Sequence, residues 1–336
     1  MKLFLCLSIF VFQGFSSDLL KTAQGIFKPL PDNHKELLEL IDSKENPLSQ
    51  AKVKLGKFLY FDPRLSKSGF ISCNSCHNVG LGGMDGLATA VGHRWTKNPH
   101  HLNSPTVFNA VLHSMQFWDG RNKTLEEQAQ GPIQAGPEMA APKELVVKRI
   151  SSIPTYQKMF QKAYPKDPVV SFEKATNAIA AFERTLVTPG RFDEYLRGDE
   201  SALNDTEKRG LQKFINTGCI ACHNGVGIGG ALKQIFPLVK PYKYAHIGDF
   251  NKGKPGLVKV PGLRNISMTA PYYHNGAVWT LEEAVEIMGE TQLGKTISQG
   301  DRDDIVAFLK ALDGEIPRIE VPLLPASTSS TPKPEL

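Results

Sequence analysis

The sequence predicts an all-α fold of two similar units, with long irregular loops and few or no strands. Three observations lead there. One pentapeptide pattern occurs twice, as Cys73-Asn74-Ser75-Cys76-His77 and as Cys219-Ile220-Ala221-Cys222-His223, the copies 146 residues apart. A short amphipathic helix pattern, carrying a glycine and then an aromatic residue, precedes each copy, over residues 51–61 and 207–215. The stretches between helical patterns, notably 80–105 and 236–271, are rich in the glycine, proline and asparagine that break regular structure. The repeat is far longer than that of stacked solenoid units, so two domains are the better reading.

The repeated pattern is C-x-x-C-H, the attachment signature of covalent c-type haem. Each thiol adds to a haem vinyl group, and the next histidine is placed to ligate the iron. One copy could be a zinc half-site or a redox dithiol. Two copies, in a chain whose only other cysteine is Cys6, point to two haem c groups on Cys73, Cys76, Cys219 and Cys222, with His77 and His223 as proximal ligands. Zinc needs four ligands per site and is the poorer reading. Each unit then looks like a cytochrome c-like domain wrapping one covalent haem, whose apolar surface gives such loops something to fold around.

Taken in order, residues 1–17 have one early lysine, an apolar run and small residues at the end, the pattern of a secretory signal peptide cleaved near Ser17. The alternative is a buried N-terminal helix. No apolar run is long enough to span a bilayer, so no stable membrane insertion is expected. The remaining chain, about 320 residues, suits two domains on the usual length prior: 18–188 and 189–315, with Thr188-Pro189-Gly190 as the hinge and a Pro/Ser/Thr-rich tail over 316–336, expected to pack on the first domain. Within the first domain, residues 171–186 carry Phe172, Ala175, Ile179 and Phe182 at helical spacing. Asn204-Asp205-Thr206 supplies N-cap candidates for the second domain's first helix. Residues 280–288, opening on Thr280 with Glu283 three positions on, and residues 301–312 read as two more helices. The formal charge of +5 is modest, the four propionates of two haems would nearly cancel it, and no concentrated Lys/Arg tract is present, so no nucleic-acid partner is expected.

Function turns on the second ligand of each iron, because an iron with two strong ligands carries electrons and an open iron does chemistry. Met268 and Met288 are the candidates for the second haem. His93, His113, Met84, Met115 and Met139 are available to the first. Spacing does not choose among them.

Longer runs narrow the choice. Gly83-Met84-Asp85-Gly86, Val91-Gly92-His93, Asn103 to Asn109, Phe117-Trp118-Asp119-Gly120-Arg121, Leu125-Glu126-Glu127-Gln128, Pro137-Glu138-Met139, Pro261-Gly262-Leu263-Arg264-Asn265, the run 270–276 and Glu283 to Gly289 together resemble the bacterial di-haem cytochrome c peroxidases. The resemblance covers nearly the whole chain after residue 17. It implies reduction of hydrogen peroxide with electrons from a small soluble donor, a mono-haem cytochrome c or a cupredoxin, in the periplasm. It further implies a homodimer, and haem attachment outside the cytoplasmic membrane agrees with an export signal.

By the same resemblance, the haem at Cys73, Cys76 and His77 is the low-potential peroxidatic centre. His93 matches a distal histidine that leaves the iron on activation, Glu138 the distal acid/base and Gln128 a neighbouring pocket amide. The haem at Cys219, Cys222 and His223 matches the high-potential electron-entry centre with Met288 as distal ligand, thioether ligation raising the potential. Trp118 matches the tryptophan between the haems. Asn103, with the carbonyls of Thr269 and Pro271, matches an inter-domain calcium site; no EF-hand-type acidic loop is visible. The doublet His100-His101 lengthens the loop before Asn103 and departs from the family pattern, which leaves reductive activation open. A di-haem electron carrier without catalysis is the first rival. A maturation-type di-haem oxidase is the second, disfavoured because such enzymes have tyrosine where Met288 stands.

Overall fold

The computed structural model describes residues 18–248 and 256–336; the leader expected over 1–17 lies outside the described residues. Among them are twelve α-helices, the first over residues 18–26 (α1). The others are α2 (His34–Ile41), α3 (Gln50–Phe61), α4 (Cys73–Cys76), α5 (Leu125–Gln134), α6 (Lys143–Ser151), α7 (Pro154–Ala163), α8 (Phe172–Arg184), α9 (Arg191–Leu196), α10 (Asp205–Thr217), α11 (Leu281–Leu293) and α12 (Gln299–Lys310). One antiparallel pair, β1 (Lys233–Phe236) with β2 (Gly256–Lys259), sets Lys233 opposite Lys259 and is the whole of the sheet there. No helix among the described residues is long and apolar enough to cross a membrane.

The helix starts follow from local chemistry. Ser49, Thr124, Ser171, Asn204, Thr280 and Ser298 each accept a backbone N–H of the first turn, satisfying a donor that the helix itself leaves unpaired. Asn204 and Glu207 do so reciprocally, the Asn204 N–H donating to Glu207 at 2.8 Å.

Apolar side chains collect in two large cores and a small cluster of Ala110, Leu125 and Ala180. The first draws on residues between Leu55 and Leu186; the second draws on residues between Phe192 and Leu312, and also on Leu19, Ala23 and Phe27 of the chain's start. Ile316, Ile319 and Leu324 of the tail pack back on the first core. Arg149, 2% exposed, holds the tail's end by donating to the carbonyls of Pro332 and Lys333 and to those of Arg64, Ser66 and Lys67.

The glycine before each motif is a helix-crossing point. A Cβ on Gly56 of α3 would lie 1.8 Å from the Ala178 carbonyl oxygen of α8, and one on Gly210 of α10 would lie 1.9 Å from that of Asp304 in α12. One turn later an aromatic residue completes each crossing: Tyr60 meets Phe182 at 5.2 Å between ring centroids, and Phe214 meets Phe308 at 5.3 Å. Only glycine lets these backbones approach so closely.

The junction between the halves has the same internal symmetry. The Asn103 N–H donates to the carbonyl of His274 at 2.8 Å, and the Lys259 N–H donates to that of Trp118 at 2.7 Å. Lys259 and His274 each stand 156 positions after Asn103 and Trp118, so the two bonds are the same contact exchanged between halves. Asn109 and Asn265, also 156 positions apart, both take left-handed backbone angles, and the Thr188 hydroxyl bridges them, accepting from Asn109 at 2.8 Å and donating to Asn265 at 3.0 Å.

Candidate haem-binding site

Both C-x-x-C-H segments close the same tight turn. The His77 N–H donates to Cys73 O at 2.9 Å, and the His223 N–H to Cys219 O at 3.0 Å, which gathers two thiols and one imidazole in each copy. All six of these residues line one continuous cavity of about 2970 Å³, its open mouths included. Both motifs therefore open onto the same space.

Burial keeps the thiols of Cys73, Cys76 and Cys219 and both imidazoles neutral. Burial pushes the thiols of Cys76 and Cys219 up to about 12 and about 11, and that of Cys73 higher still, with Glu183 adding to the burial effect. Burial lowers His77, and its Nδ1 is fixed by the Pro105 carbonyl at 2.9 Å. Burial lowers His223 to about 4; the Pro261 carbonyl, 156 positions after Pro105, lies beside it without closing a hydrogen bond to its Nδ1. Neutral imidazoles, that of His77 steered from Nδ1, each with a thiol pair in an apolar cavity, fit a covalent haem at each motif.

The distal candidates separate by position. Met288 of α11 lines the cavity, whereas Met268 is 41% exposed and does not. In the first half, His113 and Met139 line it; His93, Met84 and Met115 do not. Met84 is core, its sulfur accepting the Gly86 N–H at 3.0 Å. His93 opens a short 3-10 turn, His93–Trp95, behind the cavity wall, and its Nδ1 is buried without a hydrogen-bond partner.

Glu138 and Gln128 both line the cavity. Burial raises the Glu138 pKa, and Arg121, also in the lining, opposes the rise. Arg121 sits over the Phe117 ring at 3.5 Å and pairs with Asp119 at 2.9 Å. Trp118 lines the same space; its indole N–H donates to Asn103 O at 2.9 Å and its ring meets His274 edge-on at 6.4 Å. Asn103, Thr269 and Pro271 are in the lining as well. Asn103 gives its amide hydrogens to Leu87 O at 2.7 Å, which leaves the carboxamide oxygen as the atom for a cation. No group of three or more His, Cys, Asp or Glu residues among the described residues could hold a metal ion.

α5 and α11 begin alike, on Thr124 and Thr280, each followed by Leu-Glu-Glu. Eight positions after its capping threonine α11 presents Met288, and α5 presents Pro132; both line the cavity. Proline has no side-chain lone pair to give an iron.

Two lining residues escaped the sequence reading. Glu183 is buried beside Cys73, its Oε2 unpartnered and its pKa raised to about 8 by burial, with Glu126 adding to it and Arg184 opposing. Its signal was present, since it falls four residues after Ile179 on an otherwise apolar helix face. Lys259, 6% exposed at the end of β2, gave none.

A mostly helical chain with two thiol-pair-and-histidine sites on one cavity defines the class of di-haem c-type proteins. Comparisons place it within that class. The family model described as di-haem cytochrome c peroxidase matches residues 50–201. The cytochrome c551 peroxidase of Pseudomonas aeruginosa is 49% identical over 93% of this chain and 91% of its own length. That of Nitrosomonas europaea is 47% identical over 85% and 87%. A solved MauG-like protein associated with microbial copper homeostasis superposes with a TM-score of 0.71 at 29% identity, covering 81% of this chain and 92% of that one. The chain belongs to the di-haem cytochrome c peroxidase family, and its activity is that of a cytochrome c peroxidase.

Proposed function

We propose that electrons from a small soluble donor enter at the haem on Cys219 and Cys222 and pass to the haem on Cys73 and Cys76, where hydrogen peroxide takes up two electrons and two protons to give two waters. The observation that carries this reading is the unequal pair Met288 and Pro132 at matching positions of α11 and α5. The Met288 thioether would serve as ligand to a haem held at the second motif and would raise its potential, whereas Pro132 of α5 offers no such group to the first. When bound, the haem irons supply the redox chemistry.

The chain's own residues supply the rest. Glu138, half-buried and with a raised pKa, moves a proton from the near to the far oxygen of peroxide, so that the departing oxygen leaves as water. Gln128 orients the substrate from the same wall. His93 stands outside the cavity and would serve as the ligand of a resting form in which its loop has turned inward. Trp118, held by Asn103, lies on the electron path across the junction. Asn103 with the Thr269 and Pro271 carbonyls would hold a calcium ion, in keeping with their neutral oxygens. The relatives' name, cytochrome c551 peroxidase, favours a c-type cytochrome over a cupredoxin as donor. Two cytochrome c-like domains meeting near Thr188, export to the periplasm and a homodimer complete the reading.

The test is peroxide turnover by oxidised and by half-reduced enzyme, with visible and paramagnetic-resonance spectra of each. One permanently His/Met-ligated iron and one that binds peroxide are expected. Two irons that stay six-coordinate without turnover would leave only an electron carrier.

A further inference from the structure

Lys259 is a buried cation that meets no anion among the described residues. Its side chain lines the shared cavity, 6% exposed, and pairs with no carboxylate among the described residues. Its Nζ donates to Nδ1 of His113 at 3.3 Å. That imidazole cannot share the charge, because burial and Lys259 itself both hold it neutral. Burial lowers the ammonium to about 8, which leaves it mostly charged at neutral pH. A desolvated charge in contact with one neutral ring is costly unless an anion meets it.

The surroundings hold the pair in place. The Lys259 N–H is bonded to Trp118 O, and Lys233 lies opposite it across the strand pair. His113 is walled by glycines: a Cβ on Gly230 would fall 2.2 Å from its Cδ2, and one on Gly262 would fall 2.4 Å from its Nε2. The matching position in the first half, 156 residues earlier, is the uncharged Asn103, so the ammonium is a feature of one half alone. Of the carboxylates that line the cavity, Asp119 is taken by Arg121, Glu138 is opposed by Arg121, and Glu183 interacts with Glu126 and Arg184. The remaining anions for this space are the carboxylates that a haem brings with it.

We propose that Lys259, seated on His113, is the counter-charge to a propionate of one bound haem and holds that haem's reduction potential up from the junction between the halves. The proposal rests on the di-haem reading. Removing the ammonium leaves the propionate's negative charge unbalanced, which favours the ferric iron and lowers the potential.

The experiment compares wild type, Lys259→Gln and Lys259→Arg by haem content and by redox titration followed in the visible spectrum. Fewer than two haems in wild type would sink the di-haem reading itself, apart from this proposal. With two haems, Lys259→Gln is expected to shift the reduced-to-oxidised ratio of one haem at least tenfold toward oxidised at fixed applied potential, equal to 59 mV for a one-electron couple. The other haem should move less than threefold, and the haem that shifts is the one whose propionate is held. Lys259→Arg should restore the ratio to within threefold. If Lys259→Gln fails to load haem, an Arg variant that loads both with wild-type potentials supports the pairing. Unchanged potentials in Lys259→Gln, or an Arg variant as altered as the Gln variant, would overturn it.

Discussion

The backbone N–H of His93 donates to the carbonyl of Glu138 at 2.6 Å. One backbone bond thus ties the segment of the histidine that stands outside the cavity to that of the glutamate that lines it. Gly92 makes the approach possible. A Cβ there would lie 2.2 Å from Pro137 O and 2.5 Å from Glu138 O, so no side chain fits while the bond is made. For His93 to reach an iron, this contact has to open.

Gly92→Ala should therefore disfavour the docked loop. Overpacking of this kind costs about 1–3 kcal/mol, which is roughly a 5- to 150-fold shift between two states. The expected result is a larger low-spin, histidine-ligated fraction of the first haem in the oxidised enzyme, and slower turnover without prior reduction. Low-temperature paramagnetic resonance measures the fraction. An unchanged high-spin signal would detach His93 from this role.

Glu138→Gln should lower turnover by about 10²–10⁴, the usual worth of a positioned acid/base, with both haem spectra unchanged. Since Arg121 opposes the burial-driven rise of the Glu138 pKa, Arg121→Ala should raise it further. Glu138 must be ionised to accept the first proton, so the acidic limb of kcat/KM should move to higher pH in that variant. A stationary limb would assign the proton transfer elsewhere.

Met288→His should lower the potential of the second haem, by on the order of 100 mV within the ~0.8 V that axial ligands span, and slow oxidation of the donor. Redox titration decides it. A shift on Met268→Leu instead would be hard to reconcile with Met268 on the surface and Met288 in the cavity wall.

Much of this was legible because covalent chemistry and close packing constrain residue type. The haem motifs need cysteine and histidine at fixed spacing, and Gly56 and Gly210 were visible as recurrent glycines because a helix crossing tolerates nothing larger. The capping residues Asn204 and Thr280 were legible for the same local reason. Contacts set by the meeting of distant segments were not. Leu19, Ala23 and Phe27 pack in the second core although they precede the first motif, since an apolar stripe does not name its partner. The exchanged bonds of Asn103 and Lys259 are made by backbone atoms, which every residue has. The contrast of Pro132 with Met288 emerges once the two capping threonines fix the register of α5 against α11.

Glu183 yields a pH dependence of stability whose sign is opposite to that of a salt-bridged carboxylate. Burial raises its folded pKa to about 8 from an ordinary value of 4.5. Between those values the folded state keeps a proton that the unfolded chain has released, so stability falls as pH rises through this window. The contribution is fully present below about 4.5 and gone above about 8, and amounts to on the order of a few kcal/mol at 1.36 kcal/mol per unit. Glu183→Gln keeps the shape and a hydrogen-bonding amide but cannot ionise. Chemical denaturation of the haem-loaded variant should show a smaller loss of stability between pH 5 and pH 8 than wild type, with the two proteins closest at the acid end. Parallel curves would mean that Glu183 is ionised in the folded protein, with a cation of the assembled site compensating its burial.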